Sequence, residues 1–92
     1  MQALRRNRMR RLAHRLHLDK AQRTAALHVH AKAMADIWAA RADATLNREQ
    51  RGARIKAAVE TGRTAFRSLL RPDQLSKLDR IESRRERRLM GL

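Results

Sequence analysis

Apolar residues recur along this chain at steps of three and four and nowhere in strict alternation, so the periodic stretches read as helices and none as a strand. Met9, Leu12 and Leu16, with Leu4 and Ala13 nearby, predict a short first helix within residues 1 to 17. Asp19 to Ala44 contains neither glycine nor proline, which predicts one long second helix of about seven turns. Its apolar residues divide between two sides. Leu18 and Val29, near Ala25, Ala33 and Ala40, share one; Leu27, Met34 and Trp38 lie nearly opposite. A third helix to about Leu70 carries one stripe, Ile55, Val59, Gly62, Phe66, Leu69 and Leu70, in which Gly62 predicts close approach of another helix. A fourth begins at Pro72 and buries Leu75, Leu78 and Ile81 before a solvated charged run from Glu82 to Arg88, closed by Gly91, with a frayed end expected over residues 84 to 92.

Three of these starts share a local pattern. Leu18-Asp19-Lys20-Ala21-Gln22, Leu46-Asn47-Arg48-Glu49-Gln50 and Leu70-Arg71-Pro72-Asp73-Gln74 each place a leucine before a cap position and a glutamine three residues after it. Asp19 and Asn47 carry oxygens that accept orphan N–H groups of a first turn, and the glutamine can reach back as in a capping box. Pro72 suits a first helical position, where its missing N–H is not needed.

Composition thins the expected core. Of the 42% hydrophobic residues sixteen are alanine, and one Phe and one Trp supply all the aromatic bulk. Ninety-two residues make one small helical domain, spanning 1–92, that would gain from homodimerisation. The like charges of Arg5, Arg6, Arg8, Arg10 and Arg11 predict a frayed start over residues 1 to 7. A net charge of +14, with nineteen arginines among twenty-three basic residues, calls for an anionic partner surface: nucleic acid, acidic protein segments or anionic lipid. No cysteine is present, which excludes thiol chemistry and disulfides. No apolar run long enough for a signal peptide or a transmembrane helix occurs within these residues.

Leu16-His17-Leu18-Asp19-Lys20-Ala21-Gln22 resembles the LxLTxxQ motif of the LTxxQ family of small periplasmic proteins, the Spy- and CpxP-like proteins, with Asp19 in the threonine's place. Leu70-Arg71-Pro72-Asp73-Gln74 resembles its second motif, LTPxQ, with Arg71 in the threonine's place. The likeness covers roughly residues 9 to 82 through motif order, spacing and helix lengths. It implies an all-α fold of four helices, an elongated hairpin-type cradle formed by an antiparallel homodimer. It further implies periplasmic location and ATP-independent holding of unfolded or misfolded protein clients, as a chaperone or envelope-stress protein, with no cofactor.

A physical case for client binding stands beside the resemblance. Leu27, Met34 and Trp38 form an apolar strip flanked by Arg23, His30 and Arg41, which suits weak binding of many unfolded sequences through burial and steering charge. The competing reading of the strip is dimer interface or core. His14 and His17 share a helix face and are the candidate ligands if the protein is a metal-responsive sensor, whereas His28 and His30 point apart. Paired carboxylates, activated nucleophiles and glycine-rich phosphate loops are missing, so no enzyme is expected. The alternative of another class is a basic nucleic-acid-binding helical protein using Arg5 to Arg15 and Arg84 to Arg88. Against it, the charge is spread over every helix.

Overall fold

A computed structural model describes the backbone of residues 2 to 91 and the side chains of residues 8 to 91. The expectation of fraying falls on residues 1 to 7, whose side chains lie outside the described residues and whose backbone is helical from Gln2. The fold is all-α, with α1 at Gln2–Arg15, α2 at Lys20–Ala42, α3 at Arg48–Ser68 and α4 at Pro72–Leu89, and no strand among the described residues. Two compact units divide the chain, one formed by the residues up to Arg23 together with those from Leu70, the other by Thr24–Leu69.

The first unit is built around the two outer leucine-to-glutamine motifs. α1 stops because His17 takes a left-handed backbone (φ 53°). That turn lets Leu18 N–H reach the Ala13 carbonyl (3.0 Å) and His17 N–H reach the His14 carbonyl (3.1 Å), the pair of bonds that closes a Schellman turn. Leu16 and Leu18 on either side of the turn are thereby driven inward, where they are buried with Leu70 and Leu78.

Asp19 then starts α2. Its Oδ1 accepts from Gln22 N–H (2.8 Å) while Gln22 Oε1 accepts from Asp19 N–H (3.0 Å), a complete capping box. At α4 only half the box exists. Gln74 Oε1 accepts from Arg71 N–H (2.9 Å), but a guanidinium has no acceptor with which to return the bond.

The two boxes are joined through their glutamines. Gln22 Nε2 donates to Gln74 Oε1 (2.8 Å), and Gln74 Nε2 donates to Gln22 Oε1 (3.1 Å) and to the Leu16 carbonyl (3.1 Å). Gln74 is 2% exposed, and every donor and acceptor of its amide is used. The end of α1 and the starts of α2 and α4 are thus held at one polar point inside an apolar cluster. On the surface above it, Arg71 lies 3.6 Å from Asp19 Oδ2 and 3.8 Å from Asp73 Oδ1.

In the second unit, α2 and α3 are joined through residues 43 to 47, a connection short enough to make them antiparallel neighbours. α2 ends at Ala42, before Ala44, because Asp43 turns the chain. Thr45 donates to Asp43 Oδ1 from its hydroxyl and its N–H (3.0 Å), and Leu46 N–H reaches the Asp43 carbonyl. Asn47 and Gln50 form a second complete capping box at the start of α3 (3.0 and 2.8 Å). Arg51 Nη2 binds the carbonyls of Asp43 and Leu46 (3.2 and 3.1 Å), while its buried Nε has no partner among the described residues.

The hydroxyl and N–H of Thr45, then the charges of Arg54 and Arg51, hold the Asp43 carboxyl below the ordinary aspartate value. A depressed folded-state pKa favours folding above the unfolded value of about 3.9, and that contribution disappears as pH falls through the lowered one. Urea unfolding at a series of pH values checks this. The stability difference between wild type and Asp43→Asn should be constant above about pH 5 and shrink once pH drops below about 3.9.

The interface of α2 with α3 is made largely of small side chains. Ala26, Ile37 and Ala40 are buried on α2 and Ala58 on α3. Two sequence expectations are corrected here. Ile37 and Ala26, outside the expected stripes, belong to the core of α2, and Val59, expected within the α3 stripe, is 50% exposed. The packed line of α3 passes through Ala58, one residue away, because the helices approach closely there and only small residues fit. Gly62 marks a close approach, where a Cβ would stand 3.0 Å from that of Ala33.

At Gly52, by contrast, nothing lies within 4 Å of an added Cβ. Gly52→Ala should therefore stabilise by about 1 kcal/mol through helix propensity alone. Gly62→Ala should lower stability by about 1 kcal/mol, since a helix separation of typical overpacking cost outweighs the same gain. Urea midpoints of the two variants, moving in opposite directions, check the assignment.

Candidate functional site

Leu27 and Trp38 are held on the outer surface of α2 by the register that buries Ala26 and Ile37, their immediate neighbours in sequence. Leu27 is 66% and Trp38 52% exposed, while Met34 and His30 between them are half-buried. At 100° per residue, Leu27, Met34 and Trp38 stand roughly 100° to 140° around α2 from Ala33, the residue facing Gly62. On α3, Val59 and Phe66 stand about 40° to 60° from Gly62 in the same rotational sense. In an antiparallel pair the same sense leads to the same side. The Ala33 to Gly62 contact also sets the levels, so that Val59 lies beside the stretch between Met34 and Trp38.

The result is one face of the α2 and α3 pair carrying Leu27, Met34, Trp38 and Val59, with Phe66 half-buried at its base. Arg41 borders it, its Cζ 5.6 Å from the centre of the Trp38 ring, within cation–π range. The opposite side of the pair is polar. There Lys32 meets Asp36 (3.1 Å) and Arg54 meets Asp43 (3.4 Å), both ion pairs in water and therefore weak.

Arg23 belongs to the first unit, where it lines an open hollow of about 480 Å³ together with Arg10, Ala13, His14, His17 and Leu18. The rings of His14 and His17 are tilted, with centroids 6.5 Å apart. No group of three or more His, Cys, Asp or Glu is arranged to hold a metal among the described residues.

No family model, curated protein or solved structure matches the chain.

The chemistry of the face follows from its own side chains: a thioether and an indole that adapt to varied apolar shapes, aliphatic neighbours, and a guanidinium at the border. Sequence periodicity identified the α2 half. The α3 half was missed because Val59 falls at a correct core spacing, and only the displacement of the packed line onto Ala58 frees it. No helix of the described residues is long and apolar enough to cross a membrane.

Proposed function

We propose that the protein is an ATP-independent holding chaperone or envelope-stress protein of the LTxxQ type, binding unfolded or misfolded clients on the α2 and α3 face. The observation that carries this reading is the exposure of Leu27 and Trp38 beside Met34 and Val59, with Arg41 at the border. Contiguous apolar surface rimmed by polar residues marks an interaction site in a soluble protein. Unfolded chains offer scattered apolar and acidic groups, which such a face and a net charge of +14 attract without a fixed shape.

Export to the periplasm and an antiparallel homodimer belong to the same reading. The thin, alanine-rich core supports the dimer, because a chain that buries so little alone gains from covering surface against a second copy.

The test is suppression of aggregation of a reduced, denatured protein at low salt. Protection at near-equimolar ratios is expected. No protection at several-fold excess, together with salt-sensitive binding of any DNA duplex, would replace this reading with nucleic-acid binding.

A further inference from the structure

We infer that the hollow lined by Arg10, His14, His17 and Arg23 is a binding site for a phosphate group carried by a small ligand. Four polar side chains from the two ends of one left-handed turn converge on it: Arg10 and His14 from α1, His17 at the turn itself, and Arg23 from the first turns of α2. Guanidinium and imidazole N–H groups are donors, and no carboxylate is among the lining residues. Asp19, the nearest acidic residue in sequence, is engaged elsewhere, with Oδ1 on Gln22 N–H and Oδ2 turned to Arg71.

This donor set fixes the sign of the ligand. A divalent cation would meet two guanidiniums beside the imidazoles and be repelled, whereas a phosphate presents several acceptor oxygens and charge to match forked donors. Ala13 and Leu18 give the hollow an apolar wall, and its volume of about 480 Å³ lies in the range of small-ligand sites, which leaves room for the organic part of a phosphate monoester. The closed Schellman turn fixes the backbone spacing of His14 and His17, while the exposed Arg10 and Arg23 side chains are ordered by the ligand on binding.

The rival explanation for any anion binding is the diffuse charge of the whole chain, and the experiment separates the two. Pyrophosphate is titrated into wild type, into the double variant Arg10→Gln with Arg23→Gln, and into Arg84→Gln with Arg85→Gln, which removes the same charge from the exposed end of α4. At least about a tenfold weakening is expected for the first pair and less than about twofold for the second, since the first loses charge-assisted hydrogen bonds. Equal weakening by both pairs overturns the site.

Amide shifts of wild type during the same titration give an answer that requires no variant. Changes concentrated at Ala13 to Leu18 and Arg23 support the assignment, and changes scattered over all helices overturn it. Vesicles containing phosphatidic acid form the last arm. Binding that depends on Arg10 and Arg23 assigns the phosphate to a lipid headgroup, and binding of pyrophosphate alone assigns it to a free ligand.

Discussion

Replacing Gln74 by leucine should cost about 3 kcal/mol of stability, the largest loss expected from any single exposed-to-apolar or polar-to-apolar change in the chain. Leucine fills similar space, so the loss reports hydrogen bonds rather than a cavity. It strips partners from the Leu16 carbonyl, the Arg71 N–H and the Gln22 amide, and a buried group left unpaired costs about 1 to 3 kcal/mol. Part is recovered from burying the new methyl groups. In a domain of this size the melting temperature should fall by roughly 12 to 24 °C.

Gln74→Glu should be at least as damaging at neutral pH, because an oxygen would replace Nε2 and face two other acceptors, Leu16 O and Gln22 Oε1. Gln22→Leu should cost less, since Gln22 is only half-buried. In a double-mutant cycle the two glutamines should couple by about 1 to 2 kcal/mol. A near-neutral Gln74→Leu melt would mean that the amide pair does not hold the unit together.

The second large effect concerns function and should leave the fold untouched. Leu27→Ser combined with Trp38→Ser removes two side chains that are more than half exposed, so helicity and melting should change little. Client affinity should fall roughly thirty- to a hundredfold. The exposed parts of the two side chains correspond to about 2 to 3 kcal/mol of burial on contact, and each 1.4 kcal/mol is tenfold. Aggregation suppression that survives the double variant would move the client surface away from α2.

Helix number and the positions of the turns were legible because each turn is written in local chemistry: Asp19, Asn47 and Pro72 start helices by side-chain or ring geometry that needs no tertiary partner. Close approach at Gly62 was legible for the same reason, since a glycine inside an apolar stripe has few other uses. The pairing of Gln22 with Gln74 was not. The two lie 52 residues apart, and a capping glutamine whose amide is also a buried cross-link has the same local sequence as one facing water.

Arg71 shows the limit from another side. By itself it is a poor cap, and only beside Asp19 does it make sense. Asp19 and Arg71, the cap positions of the two outer leucine-to-glutamine motifs, hold opposite charges 3.6 Å apart. That ion pair is exposed and contributes no more than about 1 kcal/mol. In the core of α2, Ile37 was overlooked because periodicity sorted residues into two stripes and the packed line runs between them.

Trp38 offers the most direct test of the client-binding face, because it is the only tryptophan in the chain and stands half exposed on the proposed surface beside Met34 and Val59. Titration with an unfolded, tryptophan-free polypeptide at low salt should shift its emission to the blue and saturate, with no change on adding the same polypeptide in its folded form. Emission that stays that of a solvent-exposed indole, while the same mixture is protected from aggregation, would contradict the account.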